Sequence, residues 1–387
     1  MVSITTAEQA LKSVYLGVIA EQLNIGVNPF LAKIEQTNSD VWGKEIIKLV
    51  SYGINGGIGA GSETGNLPTA AGNNYAQLKA QLKNLYGTLE ISDKAMRASQ
   101  NSSGAFVNLL NAEMEGLLKA SKFNLGRMLY GDGTGKLANV VASSDTDLSN
   151  ITLDSVNRVV EGMLIDTFDV SGNCVANLRG RRIVAVDREN KVIRISGTNT
   201  RKPAANDYIT VQNSSDYEIT GLEAIFSADD IYGLSRATNY WLKPTIKAVT
   251  TFDMTTMHSI IDKLDFNAGS NIDMILASYA SKYKYLNLLD VSRTNVDYMT
   301  LDGGYKTLSF NGVPFVVDRF INEGDMYFLN TNDFKLHQLC DWRWIEGDGN
   351  KIIHQKSNTA TYSATLVKYA EMICSKPIGQ AKLTGVK

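Results

Sequence analysis

The sequence predicts an α+β fold, and three observations predict it. Residues 103–130 carry apolar side chains at helical spacing over a length unusual for a globular domain. Residues 151–220 break into short alternating runs separated by turn residues, the pattern of a small all-β module. Beyond Gly221, helical and strand-like runs mix without a repeated βαβ unit.

From the N-terminus, Ala10, Leu11, Val14, Tyr15, Val18 and Ile19 share one helical face, until Asn24, Gly26 and Pro29 interrupt the pattern. Residues 1–40 are therefore expected to form an amphipathic arm; packing on its own domain is the plainer alternative. Residues 41–54 read as a strand. They run into NGGIGAGSETGNLPTAAGNN (55–74), whose Gly, Asn, Ser and Thr content predicts a mobile loop. Residues 77–91 read as a second strand, with Leu78, Ala80 and Leu82 on one side and Lys79, Gln81 and Lys83 on the other. Together 41–92 make an extended hairpin. A two-stranded ribbon alone is marginal in water, so it needs a surface to lie on, and a neighbouring subunit is one candidate.

The helix carries Phe106, Leu109, Leu110, Met114, Leu117, Leu118, Leu125 and Met128 as a stripe. At ~1.5 Å per residue it spans roughly 42 Å. Gly116 and Gly126 each cost it about 1 kcal/mol relative to alanine, so tertiary packing must hold it. In the β-rich module, strands are expected at 163–168, 182–186, 191–196 and 208–211, closing a small barrel or a sandwich. Further on, helices at 253–265 and 278–289 flank a strand at 273–277, and strands follow at 305–318, 326–330 and 362–373.

The chain has 387 residues, enough for two or three domains, with 44% hydrophobic and 20% charged residues. Its 38 basic and 40 acidic residues give a net charge of −2, which argues against a dedicated nucleic-acid binder but not against passive contact with DNA. Cys174, Cys340 and Cys374 are far apart and form no CxxC pair, so neither a zinc nor a redox motif is expected and a reducing compartment is the simplest reading. The first residues lack the apolar core of a signal peptide, and no run of about 18 apolar residues exists to span a membrane.

YGDGTGKLANV (130–140) invites comparison with a phosphate loop. A Walker loop needs four residues between its glycine and the Gly-Lys pair, then Ser or Thr for Mg²⁺. Gly131 and Gly135 are separated by three, and Leu137 fills the Mg²⁺ position. The loop also follows a helix, whose C-terminal end repels anions. Gly131, Asp132 and Gly133 read instead as the turn that ends the helix, with the two glycines left-handed. Gly57, Gly59 and Gly61 form no GxGxxG. His258, His337 and His354 belong to no ligand motif, and no GxSxG occurs. Asp229, Asp230, Asp145 and Asp147 read as solvated carboxylates, and Trp342 and Trp344 as packing residues on one side of a strand. No catalytic residue, cofactor or metal site is expected.

The order of parts resembles a major capsid protein of a tailed bacteriophage, of the Hong Kong 97 fold type. The resemblance is carried by LYGTLEISDKAMRAS (85–99), Ala105-Phe106, Glu113, Met128 and GDGTGK (131–136). Further echoes are GVPFVVD (312–318), MYFLN (326–330) before Asp333-Phe-Lys335, and KPIG (376–379). It implies an N-terminal arm over 1–40, an extended loop over 41–92, and a peripheral domain over 93–150 with its spine helix at 104–130. It further implies an insertion domain over 151–220, a return to the peripheral domain over 221–244, an axial domain over 245–340, and peripheral strands over 341–387. The implied function is structural: pentamers and hexamers of an icosahedral head around double-stranded DNA, held by weak non-specific contact, with portal, scaffolding or decoration proteins as further partners. The implied location is the virion, assembled in the host bacterial cytoplasm. Candidate inter-subunit contacts are Val14, Tyr15, Trp42, Tyr52, Ile54, Gly57, Gly59, Leu67, Leu78 and Leu82. The alternatives are an encapsulin-type compartment shell, an enzyme using 131–136 for a nucleotide, and a tail or surface adhesin using the β-rich module.

Overall fold

The computed structural model describes residues 28–39, 41, 45–93, 103–143, 149–197, 203–291, 298–300, 306–346 and 352–386. The amphipathic stripe with Val14 and Tyr15, and Trp42, lie outside the described residues. So do Asp145 and Asp147.

The described chain begins with α1 (Pro29–Lys33), β1 (Glu35–Thr37), β2 (Glu45–Ser51), β3 (Tyr75–Gln81), β4 (Lys83–Ser92) and the long helix α2 (Ser103–Met128). Six strands follow: β5 (Lys136–Ser143), β6 (Asn150–Leu153), β7 (Leu164–Phe168), β8 (Arg181–Asp187), β9 (Val192–Ile195) and β10 (Tyr208–Val211). Next come α3 (Leu222–Ser227), the short β11 (Asp230–Ile231) and β12 (Leu234–Ser235), β13 (Thr245–Ala248), α4 (Met254–Ala268), β14 (Met274–Ala277) and α5 (Tyr279–Val291). The remainder is β15 (Tyr298–Thr300), β16 (Lys306–Phe310), β17 (Val313–Val317), β18 (Met326–Leu329), β19 (Phe334–Trp344), β20 (His354–Gln355), β21 (Thr361–Cys374) and β22 (Ala381–Thr384).

A seven-stranded mixed sheet has the order β13-β22-β18-β14-β17-β16-β15, and its central strands β14 and β18 are buried on both faces. That is why its central strand reads Met-Ile-Leu-Ala with no polar alternation. Ile275 and Ala277 face α4 and α5 in one core with Met257, Ile260, Leu264 and Tyr285. Met274 and Leu276 face the opposite way, into the main core. That main core is shared with a five-stranded sheet in which β21 lies between β19 and β4. Helix α2 packs on β4, and its Met114, Leu118, Leu125 and Met128 lie in the main core. A side chain at Gly87 would come within 3.1 Å of Leu117, so the close helix–strand approach requires glycine there.

The β-rich region closes into a barrel, order β10-β5-β6-β9-β8-β7, around its own core of Ile151, Leu153, Ile165, Ile183, Ile193 and Ile209. Of the two architectures the sequence allowed, the barrel is the one formed. It begins earlier than the expected 151, because Lys136–Ser143 is one of its strands. A register shift between Val140 and Ala142 breaks the period-two signal there and turns Val141 outward.

Candidate interaction surface

β2 and β3 pair antiparallel from Glu45↔Gln81 to Ser51↔Tyr75. Successive side chains of a strand point to opposite faces. Ile46, Val50, Leu78 and Ala80 therefore turn inward, with Ile46 and Leu78 buried in the main core. Ile47, Leu49 and Tyr75 turn outward, where soluble surfaces usually carry polar groups. The run IIKLV is thus apolar on both faces, and only one face is covered by this chain.

Beyond Tyr52 the ribbon continues as two legs closed by a turn in which Gly65 N–H donates to the Ser62 carbonyl at 3.1 Å. Between 53 and 74 every residue is exposed except Gly57, which is half-buried. The tip carries one charge, Glu63, in 22 residues, and presents Ile54, Ile58 and Leu67. With Ile47, Leu49 and Tyr75, these six large side chains are each between 55% and 90% exposed. An exposed apolar ribbon of this kind is a candidate interaction surface.

Free rotation is not the only use of the tip glycines. Among them only Gly53 has a left-handed backbone, at φ 69°. A side chain at Gly57 would come within 3.2 Å of the Ala71 amide, one at Gly59 within 3.1 Å of Pro68, and one at Gly65 within 2.6 Å of Ser62. Glycine there lets the two legs lie close together. Amide groups add cross-links: Asn55 Nδ2 donates to Asn73 Oδ1 at 3.2 Å, and Gly57 N–H donates to Asn55 Oδ1 at 2.9 Å.

Of the contact residues read from sequence, Ile54 and Leu67 stand out in solvent, and Gly57 and Gly59 hold the legs together. Tyr52 is partly covered by Trp241, the rings stacked at 5.1 Å and 7°. Leu78 and Leu82 need correction. Leu78 is fully buried within this chain and Leu82 packs half-buried against the same core, so neither is offered to a neighbour. Their alternation belongs to the inner face of the ribbon. Nor are 77–91 one strand: the chain changes sheets at Leu82, β3 pairing with β2 and β4 with β21. The parity of the apolar positions records it, even at 78, 80 and 82 but odd at 85 and 89. Ile47, Leu49, Ile58 and Tyr75 were not among the residues read from sequence. The signal for the first two was the doubly apolar strand itself.

At the other end of the ribbon, α2 ends against residues 129–135. Leu222 N–H donates to the Leu129 carbonyl at 2.8 Å, and Asp132 Oδ1 accepts from Thr134 N–H at 3.0 Å. Gly133 and Gly135 have positive φ; Gly131 does not, which corrects the expectation of a left-handed Gly131. Buried polar groups fix this joint. Arg127 donates to both Glu218 carboxylate oxygens at 2.5 and 2.8 Å, with both side chains buried. Glu371 accepts from the amides of Thr220 at 2.7 Å and Met372 at 3.0 Å, while burial pushes its carboxyl up to about 7. Glu371 lines a cleft of about 300 Å³ with Lys79, Lys83, Asp132 and Tyr232. Trp342 and Trp344 are buried in the main core and offer no stacking platform. Among the described residues no group of three His, Cys, Asp or Glu side chains is placed to hold a metal, and no helix is long and apolar enough to cross a membrane.

No protein-family model matches the sequence, and no curated protein resembles it in sequence. Solved structures do match its fold. The capsid asymmetric unit of cyanophage A-1(L) aligns with TM-score 0.55 at 11% identity, covering 91% of this chain and 90% of that one. The holo-SrpI encapsulin complex from Synechococcus elongatus aligns at 0.49 with 9% identity over 95% and 94% of the two chains. The capsid of a native GTA particle aligns at 0.48 with 11% identity over 93% and 90%. The first of these establishes the fold: over most of its length the chain shares the architecture of the cyanophage A-1(L) capsid subunit.

Proposed function

We propose that this chain is the major shell protein of a tailed-phage head, with the 45–81 ribbon lying across neighbouring copies. The observation that carries this reading is the ribbon's uncovered apolar face, joined to a fold shared with a phage capsid subunit. Covering one large aliphatic side chain stabilises by ~1.5–3 kcal/mol. Six such side chains offer on the order of 10 kcal/mol, which is comparable to the cost of fixing one subunit on another. A single ribbon contact is therefore marginal, and many in a closed ring are decisive. In this reading the ribbon and the surface that receives it are different patches, and such head-to-tail contacts form rings when their rotation closes.

In this reading α2 with the five-stranded sheet is the peripheral domain. The seven-stranded sheet with α4 and α5 is the axial domain, which meets its copies at ring centres, and the barrel is an inserted domain. The net charge of −2 suits a wall that encloses DNA without gripping it, since each neutralised phosphate strengthens salt-sensitive binding. The location is the virion, and the shell has no catalytic site. Portal, scaffolding and decoration proteins are the expected partners besides the chain itself.

Expression alone and with the neighbouring genes of its source genome, followed by negative-stain microscopy and sedimentation, tests the reading. Capsomer rings or closed particles are expected. Particles that protect protein cargo rather than DNA would favour the encapsulin alternative. A chain that stays monomeric in both settings refutes the shell reading.

A further inference from the structure

The ribbon leaves the body at one built joint. Segment 228–243 supplies both of its supports. On the β3 side, Lys79 N–H donates to the Tyr232 carbonyl at 3.0 Å. On the β2 side, Tyr52 stacks on Trp241. Trp241 itself is held still. Its neighbour Leu242 is fully buried, and Leu242 and Lys243 N–H close the local turn onto Asn239 and Tyr240 at 3.0 and 3.1 Å. Thr245 N–H then donates to the Gln380 carbonyl at 3.0 Å, tying the segment to the edge of the seven-stranded sheet. Among the described residues the buried Trp241 indole N–H has no acceptor, a cost that the packing of its ring must offset. Gly53, directly after Tyr52, takes the left-handed backbone that redirects the chain into the exposed tip.

We infer that Trp241 is the positioning residue of the ribbon, its stack on Tyr52 setting the angle at which residues 53–74 leave the body. The tip reaches about 35 Å past Tyr52 at ~3.3 Å per residue. A tilt of about 10° at the stack therefore displaces the tip by about 6 Å, more than a strand spacing. Because this segment runs directly into β13, the edge strand of the seven-stranded sheet, the stack also couples ribbon direction to that sheet. The consequence for assembly rests on the shell reading; the geometry of the joint does not.

Two measurements separate these levels. Hydrogen exchange on the purified, dilute chain compares Y52A and W241A with Y52F and W241F. The alanine variants are expected to raise exchange at the Tyr52 amide, bonded to the Asn74 carbonyl, and at the adjoining end of the β2–β3 ladder by about tenfold or more, with the aromatic variants near wild type. Unchanged exchange in both alanine variants overturns the positioning role, whether or not shells form. In the assembly assay, both are expected to give fewer or misshapen particles, Y52A while keeping the thermal midpoint of the subunit and W241A with a lowered one, because its ring also packs against the main core. Wild-type shells matched in yield and diameter by both alanine variants also overturn it. A wild-type chain that never assembles refutes the shell reading alone, and the exchange result still decides the positioning role.

Discussion

Glu371 sits in the five-stranded sheet with His337 opposite it on β19, the Thr220 and Met372 amides on its carboxylate, and Lys83 nearby. Its carboxyl is raised from 4.5 to about 7, with burial as the main cause. Between those values the folded chain binds the proton and the unfolded chain has released it, so stability falls as pH rises through that window. E371Q is expected to flatten the fall: thermal midpoints of wild type and variant should converge near pH 4.5 and separate toward pH 8, the variant being higher. Parallel profiles would refute the assignment. Arg127 and Glu218 make the opposite case, since their charges satisfy each other. R127A leaves Glu218 buried without its cation and should cost about 3–5 kcal/mol in denaturant unfolding. These groups were not legible in the sequence, because a charged residue in a strand or a last helical turn reads the same whether buried or solvated. Gly221 was equally silent: its φ is ordinary, −88°, but a side chain there would meet the Met128 carbonyl at 2.4 Å.

Among the elements, the two faces of the ribbon should separate cleanly. L78A removes a core side chain and should destabilise the isolated subunit by about 2–5 kcal/mol. L49A, three strand positions from the buried Ile46 and so on the opposite face, removes only outward surface and should leave unfolding within about 0.5 kcal/mol, while lowering assembly yield. Paired denaturation and sedimentation runs read both, and an L49A subunit as unstable as L78A would place the wrong face outward. Helix α2 was legible, because its stripe is long and strictly periodic. The ribbon was legible as two strands about a glycine-rich tip, but the sheet change at Leu82 was hidden by reading one alternation through a parity flip. Strand β5 was missed because the bulge at Val140 to Ala142 removes the period-two signal.

For the whole molecule, the ribbon tip should be dispensable for folding and indispensable for the shell. Deleting 54–72 joins Gly53 to Asn73 between the paired Tyr52 and Asn74 and supplies a two-residue Gly-Asn turn, a good hairpin connection. The shortened subunit should keep its unfolding midpoint and form no closed particles under conditions where wild type does. Retained assembly would move the decisive contact elsewhere. From residue 45 onward the succession of helices and strands was largely legible because each changes the periodicity of the chain; how they pack was not, since sheet order follows contacts distant in sequence. The barrel adds one more consequence. Its first and last strands are hydrogen-bonded neighbours, Lys136 beside Thr210, so the chain enters and leaves at the same doorstep. With its own core, it is expected to tolerate trimming to a short bridge, at the cost of its few ties to the body, chiefly Arg158 on the Tyr130 and Phe320 carbonyls.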